Sequence, residues 1–310
     1  MEAGHPLAHL LINISNHFRP ITMTKKITLG TILFIVALVS FSFINSIPIK
    51  EKPINPSTKK NLGWKIGLQL YSFKEHPFAT ATEMAKASGV NFVEAFTEHK
   101  MGKNFNDSSF GKLDEIGISK LQQMMKENNL KMSSIYANNP KSVRDWDNYF
   151  KIGVRLGIKY IVCEPRKKDL NILDSLSTLY GIKVAIHEHA KGESAYWHPD
   201  SVLAVIKGRK NFGACADIGH WARSGLDPVA CLKMLEGHII GVHAKDINEF
   251  GNVKAKNVES GKGVIDFNAV YKELQRQRFK GVVHIECEYN FENNLQDVIN
   301  ARSYLLGLKP

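Results

Sequence analysis

From Trp64 onward, short apolar runs alternate with longer stretches whose apolar residues recur at helical spacing. That alternation predicts parallel β-strands joined by crossover helices. The strands fall at Ile66–Tyr71, Phe92–Phe96, Lys131–Tyr136, Tyr160–Glu164, Lys183–His187, Gly213–Asp217, Ile239–His243 and Gly281–Glu286. Helices are expected around Ala79–Ala87, Ser119–Asn129, Asp145–Leu156, Leu170–Tyr180, Pro199–Lys207, Pro228–Leu235 and Phe267–Arg276. A last helix, Leu295–Leu305, packs outside. Eight strand–helix units in about 245 residues fit a closed (β/α)8 TIM barrel of the α/β class. An open doubly wound sheet is the competitor. No Gly-x-Gly-x-x-Gly follows the first strand, which weakens its nucleotide-binding version.

The pattern upstream of the barrel differs. Lys25 and Lys26 precede an apolar stretch, Leu29–Phe43, followed by Asn45 and Ser46. This reads as a secretory signal or an uncleaved signal-anchor over residues 1–46. The stretch is short for a membrane span, which needs about 20 residues. Met23 is the more natural start for such a signal. Residues 47–62 are rich in Lys, Pro, Asn and Ser and read as a linker. The barrel is assigned to residues 63–310. An exported protein is expected, periplasmic or tethered on the outer side of the inner membrane. Membrane contact would run only through the N-terminal segment, and a homo-oligomer stays open.

Composition changes little. The formal net charge is +11, but the lysines are scattered, which describes a basic soluble surface rather than a nucleic-acid binder. The four cysteines form no C-x-x-C pair, so thiolate zinc patterns are absent and buried small hydrophobes are expected.

Candidate chemistry gathers at the C-terminal strand ends, where a barrel builds its active site. Strand four ends in Glu164, and strand five in His187-Glu188-His189. Strand six ends in Asp217, with His220 three residues on; strand seven ends in His243-Ala244-Lys245-Asp246. Strand eight carries Glu286 and Glu288. One such residue would mean little. On consecutive strands, buried carboxylates and imidazoles without partners would cost several kcal/mol. A divalent cation (Mn²⁺, Zn²⁺, Co²⁺, Fe²⁺ or Mg²⁺) removes that cost, and the mixed donor set suits it.

The runs Ala216-Asp217-Ile218-Gly219-His220-Trp221, Val242-His243-Ala244-Lys245-Asp246 and His284-Ile285-Glu286-Cys287-Glu288-Tyr289 resemble the sugar phosphate isomerase/epimerase family of the xylose isomerase-like superfamily. The resemblance covers roughly residues 64–308. It implies one metal held from strands five to eight by Glu, Asp, His and Glu. Asp217, His243 and Glu286 match the last three. The first position holds His187 instead of glutamate. Either His187 replaces that ligand or Glu164 reaches in from strand four. In the family's ketose epimerases both glutamates also move the proton, so the substitution counts against plain two-glutamate epimerisation. His220 matches the family histidine that contacts substrate.

The expected function is therefore a metal-dependent sugar isomerase or epimerase acting through an enediolate on a small carbohydrate. A lyase or dehydratase on a keto-sugar is the alternative. Glu286, Glu164, His189 and Lys245 are the acid/base candidates. An ion pair from Lys245 to Asp246 or Glu288 is the competing reading. Trp197 and Trp221 are candidate walls for a sugar face, with plain packing as the rival. Glu188 is expected to point away from the barrel centre, since strand neighbours alternate faces. Gly261-Lys262-Gly263 is read as a flexible turn in preference to a substrate wrap. A non-catalytic sugar-binding barrel is a further rival. An apurinic-endonuclease barrel would need extra histidines. His99 follows strand two, but strand three ends in Tyr136-Ala137-Asn138.

Overall fold

The computed structural model describes residues 63–308. The expected signal and the whole of the linker lie outside the described residues. Eight parallel strands close into one barrel: β1 (Lys65–Gln69), β2 (Phe92–Phe96), β3 (Lys131–Tyr136), β4 (Tyr160–Cys163), β5 (Lys183–His187), β6 (Phe212–Asp217), β7 (Ile239–Ala244) and β10 (Val282–Ile285). Each strand pairs with its neighbours in chain order, and β10 closes on β1. Between β7 and β10 a small antiparallel pair, β8 (Asp246–Ile247) and β9 (Asn257–Val258), was not expected. Among the described residues no helix is long and apolar enough to cross a membrane.

The helices start and stop where side chains dictate. Asp114 caps α2 (Glu115–Glu127), and Ser142 caps α3 (Val143–Leu156), satisfying free amides of the first turns. Gly157 ends α3 in the left-handed region, where glycine carries no Cβ penalty. α1 (Phe78–Ala87), α4 (Leu170–Tyr180) and α5 (Pro199–Ile206) follow the predicted periodicity. So do α7 (Pro228–Met234), α8 (Phe267–Arg276) and α9 (Leu295–Gly307). A short helix, α6 (Ile218–Arg223), starts directly on β6. The first strand ends earlier than expected, because the Gln69 side chain accepts from Tyr71 N and turns Leu70–Phe73 into a 3-10 helix.

Most of the core lies between the barrel wall and the helix ring. A small inner cluster of Tyr160, Val162, Ala185 and Cys215 fills the barrel centre. All four cysteines are buried and free.

Candidate metal centre and active site

Strand register brings the ligand candidates together. Asp217 sits opposite His243, and His243 opposite His284. His187 pairs with Cys215 on the same strand as Asp217. His187 Nε2 lies 3.1 Å from His243 Nδ1 and 3.3 Å from Asp217 Oδ2. His243 Nδ1 lies 3.8 Å from Asp217 Oδ2 and 3.2 Å from Glu286 Oε2. A tetrahedral ion with bonds of about 2.1 Å places its ligand atoms roughly 3.4 Å apart. The donors match that spacing. Asp217 Oδ2 and Glu286 Oε2 are both buried, and they are held by ion-pair contacts and not by directed hydrogen bonds. The His187, His243 and Asp217 donors all lie within 4.8 Å of one another, and the Glu286 oxygen stands beside His243, a mixed donor set that suits a divalent cation.

Glu164 Oε1 accepts from His187 Nδ1 at 3.0 Å, which leaves Nε2 for the cluster. Glu164 thus stands behind His187, and with His187 and His189 it also makes a second group of possible ligands. The same oxygen also accepts from His189 Nδ1. Burial pushes the Glu164 carboxyl up, but His187 and His189 outweigh it and hold the group below the usual range.

Lys245 is buried to 1% exposure and has three carboxylates around its ammonium. Nζ lies 3.1 Å from Asp217 Oδ2, 3.0 Å from Glu286 Oε2 and 3.1 Å from Glu288 Oε2. Burial would drive Lys245 neutral; Asp217, Glu286 and Glu288 reverse that and keep it charged. It donates to His220 Nε2 at 3.2 Å, and burial together with Lys245 holds His220 neutral. Gly219 makes this possible: a methyl at that position would overlap the Lys245 side chain. Asp217 Oδ1 meanwhile accepts from Gly219 N and His220 N, capping α6. One carboxylate thus fixes the helix with one oxygen and faces the cluster with the other.

Several readings need correction. Lys245 pairs with Glu288 but not Asp246. Asp246 instead accepts backbone amides of Gly261, Gly263 and Ile265, which anchors that loop to the barrel. The Gly261–Gly263 segment is a tied turn. Trp221 is wholly buried in the core between barrel and helices, because α6 turns His220 toward Lys245 and Trp221 away from it. Trp197 is half-buried against Lys191 and His198 and lines neither part of the cleft described below. Glu188 does point away from the cluster. It is fully buried with both oxygens unpartnered, and burial pushes its carboxyl well up. His99 is structural: its Nε2 donates to the His76 carbonyl at 2.9 Å and its ring stacks on Phe96.

The cleft has two contiguous parts, of about 190 and 330 Å³. The inner part is lined by Tyr71, Phe96, Tyr136, His187, His189 and Glu286. The outer part reaches Glu164 and Asn139. The aromatic walls of the inner part come from the 3-10 turn after β1 (Tyr71) and from β2 and β3 (Phe96, Tyr136), which sequence reasoning missed. A second omission lies beneath the cluster. Glu94, fully buried on β2, accepts from Gln69 Nε2 at 2.7 Å and from His243 Nε2 at 2.8 Å. The only signals were a Glu and a Gln inside otherwise apolar strands.

Residues 82–304 match the xylose isomerase-like TIM barrel family, and the chain belongs to it. An inosose dehydratase of Clostridium botulinum (strain Alaska E43 / Type E3) is 29% identical over 153 residues, 44% of this chain and 51% of that protein. The chain thus spans about half the length of the curated relatives it matches. Among solved structures, an uncharacterised protein of Parabacteroides distasonis is 28% identical with a TM-score of 0.64, covering 78% of this chain and 98% of its own. The IOLI protein, solved with a bound zinc atom, is 19% identical with a TM-score of 0.65, covering 77% of this chain and 95% of its own.

Proposed function

We propose that the protein is a divalent-metal-dependent lyase that removes water from a keto-sugar or keto-polyol. The observation that carries this reading is the Glu164–His189 pair at the cleft, beside His187 in the position where a two-glutamate epimerase needs a carboxylate. His187, Asp217, His243 and Glu286 would hold the ion. When bound, it supplies Lewis acidity to a carbonyl and its neighbouring hydroxyl, which acidifies the adjacent C–H.

The chain's own residues supply the rest. Lys245 keeps Glu286 ionised against the effect of burial, so its carboxylate can take the proton. The C–H electron pair becomes the new C=C bond as the neighbouring C–O bond breaks. His189, whose Nδ1 is engaged by Glu164, has no protein partner at Nε2 among the described residues and protonates the departing oxygen from there. Water leaves. Tyr71, Phe96 and Tyr136 offer apolar walls to the C–H face of the ring. The half-length match to inosose dehydratases supports elimination.

Isomerisation or epimerisation is the second reading. Glu286 and His189 both line the inner cleft, so a proton taken by one can be returned by the other. The N-terminal lysine pair and apolar stretch support an exported or tethered enzyme, which would meet free sugars rather than sugar phosphates.

The test is incubation of the Mn²⁺- or Co²⁺-loaded protein with keto-inositols and ketohexoses in D2O, followed by NMR. Substrate consumed with loss of water supports the lyase. Deuterium incorporated with the carbon skeleton's hydroxyls intact supports the isomerase and sinks elimination. Neither exchange nor loss on any substrate, with sugar affinity retained after metal removal, leaves a binding barrel and overturns both.

A further inference from the structure

A larger depression, of about 890 Å³, opens at the opposite end of the barrel. Its lining includes the first residues of β1, β2, β3, β4, β5, β7 and β10, so it occupies the N-terminal face. Phe92, Met132 and Ile240 contribute to an apolar floor. Lys65, Lys126, Lys131, Lys159, Lys183 and Lys280 stand exposed around it. Arg155 also lines it but is neutralised by Glu115. No Asp or Glu is among the lining residues, and none of the six lysines forms an ion pair among the described residues. Six like charges around one basin repel one another, and apart from Lys65 over the Phe92 ring no recorded contact among the described residues offsets that. The catalytic cleft, at the strand C-termini, uses none of them.

The chain's path adds a second observation. The barrel begins at β1, whose first residue, Lys65, belongs to this basin. The preceding linker carries Lys50, Lys52, Lys59 and Lys60, and the apolar stretch ends at Phe43. The apolar stretch read as a signal or anchor thus precedes, in sequence, the strand that opens on the cationic basin.

We propose that the N-terminal face of the barrel docks on an anionic phospholipid surface through this lysine ring, leaving the catalytic cleft open on the far side. Lysines near such a surface gain about fivefold in affinity each, screened by salt. The proposal does not depend on which reaction the cleft performs.

The test is co-sedimentation of the full chain with vesicles of phosphatidylcholine alone and vesicles containing phosphatidylglycerol. The apolar stretch contributes to both, so the difference between them reads the basin. We expect a preference for the anionic vesicles that fades with added salt. Lys131→Ser/Lys183→Ser should reduce that preference by about 25-fold. Lys65→Ser/Lys280→Ser should do the same by an independent route if the first pair folds poorly. Lys254→Ser/Lys256→Ser, in the loop on the cleft side, should leave it unchanged. Equal binding to both vesicles, or a preference that survives both basin variants, overturns the proposal. So does inorganic phosphate releasing the protein where chloride of equal ionic strength does not, since a soluble phosphate ligand would then own the basin.

Discussion

Glu94 Oε1 accepts a hydrogen bond from His243 Nε2 at 2.8 Å, so the imidazole's other nitrogen, Nδ1, carries the lone pair toward Asp217 and Glu286. A carboxylate behind a ligating histidine fixes its tautomer and raises its basicity. Gln69 holds the same Glu94 oxygen, and Ser134 donates to the other. The barrel interior below the cleft is therefore a support for one ligand atom, not a stray polar group in a core.

Glu94→Gln keeps the shape and the capacity to accept from His243 but removes the charge. Metal affinity should fall by about 10- to 100-fold, as for other partners of ligating histidines. Competition with a chromophoric chelator measures this without any substrate. An unchanged affinity would show that Glu94 serves only packing.

Lys245 joins three carboxylates, and of these Asp217 and Glu286 have no other Lys or Arg beside them among the described residues, while Glu288 also meets Arg223 at 3.9 Å. Lys245→Met preserves most of the side-chain volume and strands those charges. Breaking a buried pair from one side costs about 3–5 kcal/mol. The metal-free variant should melt well below the metal-free wild type, and added Zn²⁺ or Mn²⁺ should recover much of the gap by taking over the charge. Equal melting of the two metal-free proteins would contradict the charge argument.

The barrel was legible because each strand is a bounded apolar run and each helix has its own period and cap. Asp217, His243 and Glu286 were legible for a related reason: charged groups at the ends of buried strands need a partner. The choice between His187 and Glu164 was not, because both residues stand at strand ends and only their mutual orientation ranks them. Glu94 escaped because a single Glu within an apolar strand looks like ordinary face alternation until the strand is placed in a closed barrel, where the inner face has no solvent. Trp221 misled in the opposite direction. Its neighbour His220 meets Lys245, and on a helix adjacent residues face different sides, so the tryptophan goes to the core.

Asp217→Asn separates two roles of one residue. Asparagine caps helices about as well as aspartate, so α6 should persist. The charge facing the cluster is lost with Oδ2. Metal binding should weaken by at least an order of magnitude while the far-UV circular dichroism stays native, in line with loss of one anionic ligand from a mixed site. Retained affinity would remove Asp217 from the ligand set.

His99 sets a pH dependence away from the cleft's chemistry. Burial lowers its pKa from 6.5 to about 4, partly countered by the bond to the His76 carbonyl. Between those values the unfolded chain binds a proton that the folded one refuses, so stability falls as pH drops from 6.5 toward 4. The full loss is about 3 kcal/mol at 1.36 kcal/mol per unit. Its ring stacks on Phe96, a wall of the cleft, so acid should loosen that wall before the barrel opens. His99→Gln can still donate to the His76 carbonyl but does not titrate. Its denaturant midpoint should change less than the wild type's over this window. Parallel pH profiles for the two proteins would assign the acid sensitivity to other groups.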